Sequence, residues 1–144
     1  MANELQIKEN VLNDGTQTLV SSFKMDSMED KLKVLKATNT PDHRIKDFVN
    51  MEITIKDIYI ETVNVLQEEK DDNGNDVYQT CPRTIIVDDK GESYVAVSFG
   101  VFSSVKRIVE LLGNPHEWDK PIKFKVKQIT KGDRSILTFE PIIK

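Results

Sequence analysis

Three lysines, Lys123, Lys125 and Lys127, alternate with Ile122, Phe124 and Val126. In an extended strand that period of two puts the ammonium groups on one face and the apolar side chains on the other. Lys131 and Arg134 carry the charge into the following turn. Aromatic residues accompany the row: Trp118 precedes it, Tyr94 and Phe102 lie in the segment before, and Tyr59 and Tyr78 lie further upstream. Rings that stack on bases beside lysines that meet phosphates are the chemistry of single-stranded nucleic-acid binding, each stacked base contributing about 1–3 kcal/mol. The plainer reading is the solvated outer face of a strand. On the binding reading Tyr94, Phe102 and Trp118 offer stacking surfaces, followed by Tyr59. Arg83, Lys106, Arg107, Lys123, Lys125, Lys127, Lys131 and Arg134 are then the candidate phosphate contacts. Phe99 and Phe102 suit a core position equally well.

Other chemistries find little support. The acidic stretch 67–76, QEEKDDNGND, places Glu69, Asp71 and Asn73 ahead of Gly74 much as a calcium loop does. Its twelfth position is Thr80 where a bidentate glutamate is needed, so a solvated hairpin tip is expected. His43 and His116 stand far apart with no metal-ligand spacing and read as surface or capping residues. A single cysteine, Cys81, rules out an internal disulfide and a cysteine metal cluster. No phosphate-binding glycine loop, nucleophile elbow or zinc-protease motif occurs, and no nucleophile is set beside a base. The expectation is a non-enzymatic protein with no cofactor and no metal.

The elements that must position these residues follow from periodicity. Residues 51–66 form the longest β-like stretch. Met51, Ile53 and Ile55 alternate, the apolar phase slips at Asp57 to Ile58 and Ile60, and it slips again at Val63 and Val65. Such slips predict a bulge or sharp bend. Residues 77–87 form a second strand across the charged turn, and 94–99 a third with Tyr94 on its outward phase. Val101, Val105, Ile108 and Leu112 then lie on one helical stripe that starts near Ser98 or Gly100 and stops at Gly113 and Pro115. Residues 120–129 and 135–139 make a closing hairpin. Five strands with one helix between the third and fourth is the plan of an OB-fold, a Greek-key barrel. Its groove is expected over strands two and three, between the turns 67–76 and 131–134.

Ahead of this barrel, Ser27 and Asp30 match a capping box, with Met28, Leu32 and Leu35 on one face of the helix that follows. Residues 1–20 suit an arm or a short added strand. The division expected is an N-terminal extension with one helix, 1–49, and an OB domain, 50–144. At 144 residues, 38% apolar and 31% charged, the chain has the composition of a soluble globular protein. Neither a long apolar run nor a signal-like start is present, which suggests a cytoplasmic protein without membrane contact. The net charge of −4 conceals an asymmetry. Residues 61–92 carry nine acids and three bases, whereas 120–144 carry seven bases and two acids. That is compatible with a basic groove on an acidic body.

Across residues 50–140 the chain resembles the small single-stranded DNA-binding proteins of tailed phages that infect Gram-positive bacteria. The residues that carry the likeness are NMEITIKDIYIE, RTIIVDDKGESYVAVSFGVFSSVKRIVELLGNP, WDKPIKFKVKQ and ILTFE, with VSFGVFSSVK the most specific piece. The resemblance implies an OB-fold protein that coats and protects displaced single strands during phage DNA replication in the host cytoplasm. Phage replication proteins and self-association are the further partners it suggests. The better-known bacterial relatives end in an acidic tail that recruits partners, whereas this chain ends EPIIK. The competing readings are a protein-interaction OB module and an RNA-binding OB protein.

Overall fold

The computed structural model describes residues 17–143. The protein is built on one long strand. Strand β3 (Glu52–Leu66) buries Ile53 and Ile55, then Ile58 and Ile60. The change of phase is a bulge: its register against strand β4 (Tyr78–Asp88) shifts between Ile55 and Asp57. The second expected slip makes no bulge. Register runs unbroken from Asp57 opposite Val87 to Leu66 opposite Tyr78, where the hairpin leaves the core and apolar phase no longer reports burial.

Beyond the bulge β3 has partners on both edges. Strand β4 takes one edge from Ile55 to Leu66. The other is shared by strand β6 (Ile122–Lys131), opposite Glu52 to Ile55, and strand β1 (Gln17–Ser21), opposite Tyr59 to Thr62. The sheet runs β2 (His43–Arg44), β5 (Ser93–Ala96), β4, β3, β6 and β7 (Arg134–Pro141), with β1 off this path. Strand β2 lies parallel to β5, and β7 closes a hairpin with β6.

This mainly β arrangement with two helices is OB-like, and it corrects the five-stranded plan. Among the described residues seven strands are present, and helix α2 (Phe99–Leu112) falls between the fifth and the sixth. The additional strands β1 and β2 are short and weakly patterned, and each is extended because it pairs with an existing strand. Among the described residues β5 and β7 form no ladder with each other, so the sheet is a half-barrel with α2 packed on β7 and β4. The part of the expected arm before residue 17 lies outside the described residues.

Helix α1 (Met28–Asn39) starts as expected, Ser27 Oγ accepting the Asp30 N–H at 3.1 Å. The face that carries Met28, Leu32 and Leu35 is turned outward. Val34 and Ala37 are buried, while Met28, Leu32 and Leu35 are 70%, 55% and 52% exposed. The helix docks by small residues: Ala37 joins Ile85 and Val87, flanked by Phe23, Tyr59 and Val95, on the sheet face away from the main core. Helix α2 keeps its expected stripe at Val101, Val105 and Ile108, all buried, though Leu112 is exposed. Ser98 caps it by accepting the Val101 N–H at 3.1 Å, and Gly113 ends it at φ +82°.

Candidate nucleic-acid interface

The lysine row on β6 has the expected geometry, because Lys123, Lys125 and Lys127 alternate with buried Phe124 and Val126. Its electrostatics are more mixed than the sequence implies. Register places Lys125 opposite Glu52 on one side and Glu140 on the other. Lys123 Nζ lies 3.7 Å from Glu52 Oε1, an exposed pair of small net value. Lys131 and Arg134 face each other at the exposed end of the β6–β7 hairpin, whose turn uses Gly132 at φ +61°. Among the described residues Lys125, Lys127, Lys131 and Arg134 hold no ion pair.

The remaining cations differ in freedom. Arg83 Nη1 lies 3.3 Å from Glu61 Oε1 and both side chains are largely shielded, so this guanidinium is already committed. Lys106 pairs with Glu110 one helical turn on, at 3.7 Å. Arg107 is exposed on α2, where it lines a groove against the β6–β7 hairpin.

The aromatic residues are redistributed. Tyr94 is only 5% exposed and packs edge-on against Phe48, with centroids 5.0 Å apart. Its hydroxyl donates to Asp88 Oδ2 at 2.8 Å. It presents no ring to solvent, which corrects its placement on the outward phase. Strand β5 is covered on both faces, Tyr94 lying in the main core and Val95 against the cluster that holds Ala37 of α1, so alternation alone could not orient it. Burial raises the Tyr94 phenol above its ordinary value of 10.0, and the hydrogen bond to Asp88 adds to this. Trp118 is half-buried and its Nε1–H donates to the carbonyls of Leu112 and Gly113 at 3.0 and 3.1 Å. Those are end-of-helix carbonyls that need a donor, so this indole closes α2. Phe102 is half-buried against the main core. Tyr59 is half-buried with Phe23 beside it, centroids 6.1 Å apart. The exposed rings are those of Tyr78 and Phe99.

Sequence reasoning passed over a second basic surface. Lys24, Lys33, Lys36 and Lys56 line a cleft of about 490 Å³ between α1 and the sheet, with Phe23 in its wall. Two of its three carboxylates are occupied. Asp42 accepts the Ser93 N–H at 3.0 Å, which holds its pKa below 3.8, and Asp57 faces His116 Nε2 at 2.7 Å and Ser22 Oγ at 3.1 Å. The cleft also continues the β6 row. Lys56 shares a face of β3 with Thr54, opposite buried Ile53 and Ile55, and Thr54 pairs with Lys123. Only the lysines of α1 carried a signal in sequence, and it was readable only once the helix face was known.

Two acids of the hairpin tip are satisfied within it. Asp71 Oδ1 accepts the N–H groups of Asn73 and Asn75, and Lys70 meets Asp76 at 2.9 Å. Among the described residues no cluster of His, Cys, Asp and Glu groups to hold a metal ion, and no helix is long and apolar enough to cross a membrane.

A bent β3 shared by two hairpins, with a helix after the β4–β5 pair, defines the OB-like class. Within it the chain belongs to the phi29-type phage single-stranded DNA-binding protein family, whose model matches residues 13–140. It is therefore a viral DNA-binding protein of phage replication, in a family that is in general non-enzymatic. No curated protein and no solved structure matches the chain.

Proposed function

We propose that the protein coats displaced single strands without sequence preference during phage DNA replication and shields them from other chemistry. Residues 50–144 carry the sheet that meets DNA, and the segment before them adds a wall to the binding surface. The observation that supports this reading is a series of lysines on one face, interspersed with Glu52 and Glu140. It runs from Lys127 and Lys125 through Lys123 and Lys56 into the cleft that holds Lys24 and Lys36. Phosphates follow the row, and bases turn toward the half-buried rings of Phe23 and Tyr59 at the cleft. Arg134 at the hairpin end extends the track. The protein works in the cytoplasm of the host, where the replicating phage genome lies.

The test is a set of variants titrated with labelled oligo-dT. Lys36→Glu and Lys56→Glu should each flatten the log–log salt dependence by about 0.7, the contribution of one neutralised phosphate on a single strand. Tyr59→Ala should weaken binding by about 1–3 kcal/mol. Lys106→Glu, on α2 and already paired, serves as the control. Unchanged affinity and slope in both lysine variants would remove the path, and equal binding of oligo-dT and oligo-rU would leave no preference for DNA.

A further inference from the structure

A groove of about 680 Å³ lies between α2 and the β6–β7 hairpin, beyond the Lys127 end of the lysine path. Its size falls among the sites of roughly 300–1,000 Å³ that hold small organic groups. Buried Phe124 and Phe139 shape the floor, their rings edge-on with centroids 6.3 Å apart. Ile108 and Leu111 of α2 and Ile129 and Ile136 of the hairpin supply the walls. Of the three lining rings, only that of Phe99, the first residue of α2, is open to solvent, at 55% exposed. Arg107 and Lys131 are exposed in the lining, which includes no carboxylate. Glu110 on α2 and Asp133 in the hairpin turn stay outside it, the first facing Lys106 at 3.7 Å.

The groove continues the lysine face. Lys127 lies opposite Thr138, Ile129 opposite Ile136, and Lys131 opposite Arg134. Opposed residues share a face, and alternation puts all of them on the side of Lys123 and Lys125, away from buried Phe124 and Val126. Thr138, Ile129, Ile136 and Lys131 are also lining residues of the groove. Helix α2 crosses the outer edge of β7, where Ser104 Oγ accepts from Thr138 Oγ1 at 3.0 Å and from the Phe139 N–H at 2.9 Å. The groove therefore reaches residues of both faces of that strand.

We propose that this groove is a nucleobase subsite: the single strand passes from Lys127 into it, one unstacked base lies against Phe99, and the flanking phosphates meet Arg107 and Lys131. A base offers a flat apolar face to a ring and to aliphatic walls, while its phosphates need cations, and the lining supplies both. An acidic amphipathic peptide would satisfy the same charges, but continuity with the lysine face favours the strand already lying on it. The subsite rests on the coating function proposed above, and it lengthens the stretch of DNA that one copy covers.

Anisotropy titrations with labelled oligo-dT of two lengths, about 5 and about 15 nucleotides, test this, since sites on OB-folds span about 4–16 nucleotides. The shorter strand fits the lysine row, and the longer one reaches the groove. Phe99→Ala should weaken binding of the longer strand about tenfold, the effect of losing one stacked base. Arg107→Glu should flatten the log–log salt dependence of the longer strand by about 0.7. Both variants should bind the shorter strand as the wild type does. Lys106→Glu, the same change of charge on α2 but outside the groove, should bind both lengths as the wild type does. The replaced side chains are exposed, and circular dichroism with urea unfolding checks that each variant keeps its fold. Unchanged affinity and slope for the longer strand in folded Phe99→Ala and Arg107→Glu would overturn the subsite, leave the groove to a protein partner and leave the coating function standing. Absence of wild-type binding to either length would overturn the coating function, and the subsite with it.

Discussion

The Tyr94 hydroxyl donates to Asp88 Oδ2 at 2.8 Å, and Asp88 Oδ1 also accepts the N–H groups of Lys90 and Glu92 at 2.9 Å each. A buried carboxylate thus ties the β4–β5 turn to the core. Removing the hydroxyl in Tyr94→Phe leaves one carboxylate oxygen without its donor. The expected loss is about 1.5–3 kcal/mol in urea unfolding, with oligo-dT affinity unchanged. The pH dependence follows from the direction of the shift. A phenol raised above 10.0 in the folded state contributes stability that is full below 10.0 and declines as pH rises through the folded value. The stability gap between wild type and Tyr94→Phe should therefore narrow above pH 10.0. A gap that persists there, or a loss of DNA binding with unchanged stability, would return Tyr94 to a stacking role. Spacing marked Tyr94 as an aromatic on an alternating strand but held no information about which side α1 would cover. Trp118 was similarly opaque, because its two carbonyl partners exist only once Gly113 has ended α2.

At the scale of elements, α2 approaches β7 closely because residue 100 has no side chain. A Cβ on Gly100 would collide with Ile136 Cγ2 and stand 3.1 Å from the Leu137 carbonyl oxygen. Gly100→Ala should cost about 1–3 kcal/mol by overpacking, and faster amide exchange in β7 should locate the strain there. Unchanged stability would mean that the hairpin shifts freely. Much of this level was legible beforehand. The slip at Asp57 marked the bulge that lets β3 serve two partners, and Ser98, Gly113 and Pro115 marked both ends of α2. The failures share one cause. Strands β1 and β2 are made by pairing, and the docked face of α1 is chosen by the space over Ile85 and Val87, which admits Ala37 and turns Leu32 and Leu35 outward. Neither effect leaves a local pattern.

For the whole molecule, a net charge of −4 coexists with the proposed lysine path because several of the carboxylates near it are already paired or hydrogen-bonded. At the β3–β4 hairpin tip Asp71 is bonded to its own backbone and Asp76 is paired with Lys70, and the lysines of β6, Lys56 and α1 lie along neighbouring parts of one surface. Such a surface binds by releasing counterions, so affinity must depend on salt in proportion to the phosphates met. Because Trp118 is held by α2, a label on the strand is the better reporter than protein fluorescence. The most direct test is therefore fluorescence anisotropy of labelled oligo-dT titrated with the wild-type protein at several salt concentrations. Contact between about three or four lysines and phosphates predicts saturable binding with a log–log slope of roughly −2 to −3. Absence of binding at low salt by the folded protein, or binding whose strength ignores salt, would contradict the account.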